Sequence, residues 1–147
     1  MTTIAYRDGT IAADSRTTFK AHVDNDQVKK LFKLSDGAVV GMSGDWASGM
    51  RMLEALRHSL KKGDKELPTV RGRFHALLVC PNGDAFFYED KDWTNLAEYN
   101  YDYYSIGSGL YYAMAAMDAG ATAKEAVAIG IKRDVYSGGK IQFYKVF

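Results

Sequence analysis

The second residue of the chain is a threonine, and a threonine at a free N-terminus holds a nucleophile and a base in one residue. Methionine is normally trimmed before a residue this small, so loss of Met1 would expose the α-amine of Thr2. The unperturbed pKa of an α-amine is about 7.7–8.0, close to the value that suits a general base near neutral pH. Taken alone, the same two residues are also an arbitrary start of a chain.

A carboxylate and a lysine pair offer a second possible piece of chemistry. Asp14 follows an apolar stretch, and Lys29 and Lys30 stand in a pattern typical of a strand. If both segments neighbour a strand that begins near Thr3, Asp14 and one lysine can face each other across the sheet. A half-buried lysine needs such a partner because an isolated buried charge is costly, and its charge would lower the pKa of a nearby α-amine. The alternative is a pair of surface charges at strand ends.

A third candidate is the segment Ile106-Gly107-Ser108-Gly109, which runs from an apolar strand into a helix. Such a turn can direct backbone N–H groups and the Ser108 hydroxyl into a cleft. It is not a phosphate-binding loop, because the longer glycine pattern and the following lysine are absent.

These residues must be positioned by an α+β domain. Turns containing Asp-Gly or Asn-Gly predict three hairpins, and helical periodicity begins at Trp46 and stops at Gly63. Thr122 and Glu125 have the spacing of a capping box for a helix over 123–133. The predicted strands are 3–6, 10–13, 28–34, 38–42, 74–80, 85–88, 101–106 and 140–147, with a loop or short edge strand at 21–27 and a further helix over 110–117. This order predicts helices packed on antiparallel sheets.

Composition bounds the possible functions. The 147 residues suit one domain, over 1–147, and a net charge of +1 gives no field that favours nucleic acid or an anionic membrane. The single cysteine, Cys80, fits a reducing cytoplasm, and neither a signal peptide nor a membrane-spanning segment is visible. The three histidines lack ligand spacing, so we expect no metal and no cofactor.

Six segments, taken in order, resemble the signature segments of proteasome β subunits and of the related bacterial peptidase HslV. They are Thr2-Thr3-Ile4, Ala13-Asp14-Ser15-Arg16, Val28-Lys29-Lys30, Met42-Ser43-Gly44, Ile106-Gly107-Ser108-Gly109 and Arg133-Asp134-Val135-Tyr136-Ser137-Gly138-Gly139. The resemblance implies the four-layer αββα sandwich of the N-terminal nucleophile hydrolases, with an amide-hydrolysing site at the mature N-terminus.

The resemblance also implies a role for each matching residue. Thr2 would be the nucleophile and its α-amine the proton acceptor, while Lys30 would be the catalytic lysine and Asp14 its acid. The Gly44 N–H would help to form the oxyanion hole. Supporting residues would be Ser108, Asp134 and Ser137, and the primary specificity pocket would be lined by Thr18, Met42 and Trp46. Because a tryptophan narrows such a pocket, small or unusual side chains are the expected substrates there.

The sequence departs from the family in a shorter first hairpin and a shorter C-terminal region, and a retained Met1 would acylate the Thr2 amine. We therefore expect a threonine-type endopeptidase that acts on peptides or unfolded proteins inside homo-oligomeric rings, with an unfolding ATPase as a possible partner. No nucleic-acid or membrane partner is expected. Two alternatives remain open: a catalytically silent structural or assembly subunit of the same fold, and an amidohydrolase acting on a small amide. The tyrosines at 99, 101, 103 and 104 favour a half-buried strand or a subunit contact over base stacking.

Overall fold

Tight turns build the first sheet around the N-terminal strand. Asp8 and Gly9 both have positive φ, 49° and 78°, which is the geometry of a two-residue hairpin connection. The computed structural model describes residues 1–147. Its strands and helices are β1 (Ile4–Arg7), β2 (Thr10–Ala13), β3 (Thr17–Phe19), β4 (His22–Asn25), β5 (Leu31–Lys33), β6 (Val39–Gly44), α1 (Trp46–Lys62), β7 (Phe74–Val79), β8 (Ala85–Glu89), β9 (Asp92–Asn95), a 3₁₀ turn (Leu96–Tyr99), β10 (Tyr103–Ile106), α2 (Leu110–Asp118), α3 (Ala123–Arg133) and β11 (Gln142–Lys145).

Two antiparallel sheets form the middle of the molecule. The four-stranded sheet has the order β10-β1-β2-β11, and the five-stranded sheet has the order β5-β6-β7-β8-β9. Between them lies a core of buried apolar side chains that includes Ile4, Ile11, Leu31 and Leu77. The strand β1 is therefore an inner strand, hydrogen-bonded on both sides, and the residues just before it are held in place.

Helices cover the outer faces of both sheets. The helix α1 starts at the N-cap Asp45, ends at Gly63 in the left-handed conformation, and packs on the five-stranded sheet through Met52 and Leu56. The pair α2 and α3 packs on the four-stranded sheet. The predicted four-layer αββα sandwich of the N-terminal nucleophile hydrolases is confirmed. None of the helices is long and apolar enough to cross a membrane.

The structure refines the predicted elements, or departs from them, in three segments. The segment expected as a loop or short edge strand over 21–27 contains β4, which pairs with β3 in a separate exposed ribbon. The strand predicted from Val28 begins only at Leu31, because the Val28 and Lys30 N–H groups bond to Ser15 and Gln142 rather than to a neighbouring strand. The polar strand β9 and the 3₁₀ turn were not predicted, because their sequence lacks a clear apolar alternation. That the chain is one domain stays a prediction.

Candidate active site

The backbone of Thr2 is fixed by the turn that follows β10. The Gly109 N–H donates a 3.0 Å hydrogen bond to the Thr2 carbonyl. Gly107 has a φ of +99°, and a Cβ at this position would collide with the Thr2 carbonyl group. Thr2 is only 3% exposed. The glycines thus let the turn approach the N-terminal segment closely enough to hold it.

Lys30 reaches the Thr2 hydroxyl from the opposite sheet. Its Nζ hydrogen-bonds Thr2 Oγ1, donates to Asp14 Oδ1 at 2.8 Å and donates to the Met1 carbonyl at 3.3 Å. An ammonium group has three donors, so all of them are used here. Burial lowers the pKa of Lys30, and the adjacent Asp14 opposes that decrease. The arrangement places a cation at the oxygen that would become the nucleophile.

Asp14 is fully buried and has four hydrogen-bond donors around its carboxylate. Besides Lys30, it accepts bonds of 3.0 Å from the Thr3 N–H, 3.0 Å from the Gly138 N–H and 3.1 Å from the Arg16 N–H. The three backbone N–H groups are fixed in position by the fold, so they orient the Asp14 carboxylate independently of Lys30. The sequence-based pairing of Asp14 with one of the two lysines is therefore found, and the lysine is Lys30.

A second hydrogen-bonded network supports the Thr2 nitrogen. The Thr2 N–H donates to Ser108 Oγ at 3.0 Å, and both serine hydroxyls of the network, Ser108 and Ser137, donate to Asp134 Oδ2 at 2.6 Å. Because the Ser137 hydroxyl donates its proton to Asp134, the Thr3 hydroxyl must be the donor in the 2.7 Å hydrogen bond between Thr3 and Ser137. The network holds the nitrogen in a defined direction.

A cavity of about 240 Å³ opens beside Thr2. It is lined by Met1, Thr2, Thr17, Thr18, Lys30, Met42, Ser43, Gly44 and Trp46. Gly44 has a φ of +105°, and a Cβ there would lie 2.6 Å from the Arg73 carbonyl oxygen, so only glycine fits. Burial, and after it the charge of Lys30, lowers the pKa of the Met1 α-amine, which belongs to a residue that lines this cavity.

The structure brings all the sequence-predicted residues into one region. Asp14, Lys30 and Ser108 contact Thr2 or its direct partners, Asp134 and Ser137 stand behind Ser108, and the three pocket residues line the cavity with Gly44. Their roles in catalysis stay predictions. Sequence reasoning missed Thr3, whose signal was its place beside Thr2, and Gln142, for which one polar residue at a strand start gave no signal.

The remaining candidates lie apart from this region. Cys80 follows β7 and is half-buried, and burial raises the pKa of its thiol to about 11. A thiol with a raised pKa is a poor nucleophile at neutral pH. No group of three His, Cys, Asp or Glu side chains is arranged to hold a metal ion.

Comparisons with known proteins agree with this geometry. Residues 2–67 match the family model of the proteasome subunit. Among solved structures, HslV from Trypanosoma brucei superposes with a TM-score of 0.75 at 18% identity, covering 97% of this chain and 97% of that chain. The BPH protein of Thiobacillus denitrificans, in complex with epoxomicin, has a TM-score of 0.71 at 19% identity, covering 99% of this chain and 98% of that chain. Residues 2–67 therefore carry the sequence pattern of the proteasome subunit, and over nearly its whole length the chain has the fold of HslV and of the BPH protein.

Proposed function

We propose that the chain, once Met1 is removed, is a threonine-type endopeptidase. The single observation that carries this proposal is the contact of Lys30 Nζ with Thr2 Oγ1 while Ser108 holds the Thr2 nitrogen. With Met1 attached, that nitrogen is an amide and cannot accept a proton. Cleavage after Met1 turns it into an amine next to its own hydroxyl, which is the arrangement of an N-terminal nucleophile.

The reaction is an acyl transfer. The Thr2 hydroxyl proton passes to the α-amine, and Oγ1 attacks the peptide carbonyl while the Lys30 ammonium stabilises the charge on Oγ1. The Gly44 N–H stabilises the oxyanion of the tetrahedral intermediate. The intermediate collapses to an ester as the α-ammonium gives its proton to the leaving amine. Water, deprotonated by the same α-amine, then hydrolyses the ester and restores Thr2.

The cavity beside Thr2 fits one side chain of an extended peptide. The presence of Trp46 in its lining favours a small residue over a large aromatic one. Peptides and unfolded proteins are therefore the proposed substrates. The likeness to HslV and proteasome subunits supports assembly into a homo-oligomeric ring, with an unfolding ATPase as a possible partner. A cytoplasmic location is proposed from the single cysteine, Cys80, which fits a reducing compartment.

The first experiment joins intact-mass measurement with covalent labelling. Loss of one methionine should be seen in the mass, and epoxomicin should then add once to the processed chain and not to Thr2→Ala. Epoxomicin is the probe because the similar BPH protein was solved in complex with it. A protein that keeps Met1, takes up no epoxomicin and cleaves no peptide would overturn the proposal and indicate the catalytically silent subunit. Turnover of small amides without peptides would indicate the amidohydrolase.

A lysine pair provides a matched control for the role of Lys30. Lys30→Ala should lower kcat by on the order of 100-fold or more, because a charge aimed at a reacting oxygen is lost. Lys29→Ala changes the neighbouring exposed lysine and should leave turnover unchanged. Equal activity of the two variants in a fluorogenic peptide assay would refute the role of Lys30.

A further inference from the structure

The Gln142 side chain joins the two segments that carry Lys30 and Asp14. Gln142 is the first residue of β11, and its amide takes part in five hydrogen bonds at once. Its Oε1 accepts from the N–H groups of Lys30 at 2.8 Å and Leu31 at 3.1 Å. The two hydrogens of its Nε2 are shared among three acceptors: the Val28 carbonyl at 2.9 Å, Ser15 Oγ at 3.0 Å and the Asp14 carbonyl at 3.1 Å.

The chemistry of these partners fixes the orientation of the amide. Two N–H donors face Oε1, and two carbonyl oxygens face Nε2, so the opposite orientation would bring oxygen against oxygen. Ser15 Oγ donates its own proton to the Lys140 carbonyl, at 2.5 Å, and is therefore free to accept from Gln142. Only a primary amide of this length satisfies both sets of partners.

The main chain before Lys30 depends on this side chain. Lys30 precedes β5, and its N–H bonds to Gln142 instead of to a neighbouring strand. The Asp14 carboxylate, by contrast, keeps three backbone donors that do not involve Gln142. Loss of the amide would therefore displace Lys30 more than Asp14.

We propose that Gln142 is a positioning residue for the acyl transfer: it holds the Lys30 main chain at the distance from Asp14 that places Nζ on the Thr2 hydroxyl. Gln142 does not line the cavity beside Thr2, so its role is separate from substrate binding. This inference rests on the proposed function.

The position of Lys30 also decides how easily the Thr2 amine is protonated. The charged groups around this site are Asp14, Asp134, Arg16 and Lys30 itself. Burial and, after it, the Lys30 charge lower the pKa of the Met1 α-amine, whereas the two carboxylates raise it. The same charges would face the α-amine of processed Thr2. If Lys30 moves away, the pKa of the amine rises, and the acidic limb of the kcat–pH profile moves to higher pH.

The test uses processed, full-length protein with a fluorogenic peptide. Gln142→Met keeps the length of the side chain and removes all five bonds, so kcat should fall by about tenfold or more while KM stays within about twofold. Epoxomicin labelling should slow in parallel, and the acidic limb should move to higher pH. Gln27→Met, at an exposed glutamine in the preceding loop, is the matched control and should match the wild type.

Gln142→Asn decides the matter if Gln142→Met does not fold. It keeps the amide and withdraws it from both sets of partners by one methylene, so Lys30 should again be displaced and the acidic limb should again move to higher pH. A folded Gln142 variant with the wild-type limb and kcat, or with reduced kcat and an unmoved limb, overturns the inference. An inactive wild type that does not take up epoxomicin is a different result, because it refutes the proposed function itself.

Discussion

Replacing Asp14 by asparagine should leave the Lys30 charge buried without its counter-ion. Asp14 is 0% exposed and Lys30 is 3% exposed, so solvent cannot take over the role of the carboxylate. An asparagine could accept on one side only, and its NH₂ group would face two N–H donors on the other side. Removing one partner of a buried ion pair costs about 3–5 kcal/mol. For a domain of this size that is a decrease in Tm of about 6–20 °C.

The decrease should depend on pH in one direction. Burial already lowers the pKa of Lys30, and without Asp14 the largest opposing influence is gone. A lysine whose pKa is lower in the folded than in the unfolded state binds fewer protons when folded, so stability rises with pH across the interval between the two values. The deficit should be full below the folded-state pKa of Lys30 and shrink as pH rises from there toward about 10.4, the ordinary lysine value.

Urea unfolding of wild type and Asp14→Asn at pH 7 and pH 9.5 measures this difference. Asp64→Asn, at an exposed aspartate after α1, controls for the loss of a carboxylate as such and should change stability by less than about 0.5 kcal/mol. Adding Lys30→Met to Asp14→Asn should restore part of the loss, because the unpaired charge is gone. An Asp14→Asn protein as stable as the wild type at pH 7, or a deficit that does not change with pH, would refute the reasoning.

Three further substitutions and one reagent test other parts of the structure. Gly130→Ala should destabilise the protein by about 1–3 kcal/mol, because the new Cβ would lie 2.6 Å from the Thr3 hydroxyl. Gly49→Ala meets only ordinary contacts and should stabilise it by up to about 1 kcal/mol. A gain in stability at both positions in urea unfolding would contradict this. Thr122→Ala removes the capping box of α3 and should cost about 1 kcal/mol in the same assay, and an unchanged midpoint would exclude a stabilising cap. Burial raises the pKa of Cys80 from its ordinary 9.0 to about 11, so at pH 8 the native thiol should react with iodoacetamide about 100-fold more slowly than in urea; equal rates would show an exposed thiol.

Local sequence signals predicted most of the fold. The hairpin turn at Asp8-Gly9, the stop at Gly63 and the capping box at Thr122 each act within a few residues, and the structure has all three. The same reasoning placed a strand at Val28, where apolar and β-branched residues favour one. At Lys30 and Leu31 the backbone N–H groups bond to the Gln142 amide, which is distant in sequence, and no nearby sequence feature predicts this contact.

The sequence predicted which residues form the candidate site better than it predicted the hydrogen bonds between them. The order of six short segments pointed to Thr2, Lys30 and Asp14 together, although each was ambiguous alone. The order of the segments in the sequence does not tell which hydroxyl donates to which oxygen, because this depends on how many donor protons the whole hydrogen-bonded network has. The bond between Thr3 and Ser137 is of this kind.

The bonds that support Thr2 join segments that are far apart in the chain. Thr3 bonds to a residue 134 positions away, the Thr2 nitrogen to one 106 positions away, and Lys30 to one 112 positions away. Contacts so distant in sequence form late, because closing long loops is entropically costly. A chain leaving the ribosome therefore presents Thr2 first and completes the bonds around it only when β11 has been made. Under the proposed function, Thr2 of an incomplete chain would lack the bonds that hold it for catalysis.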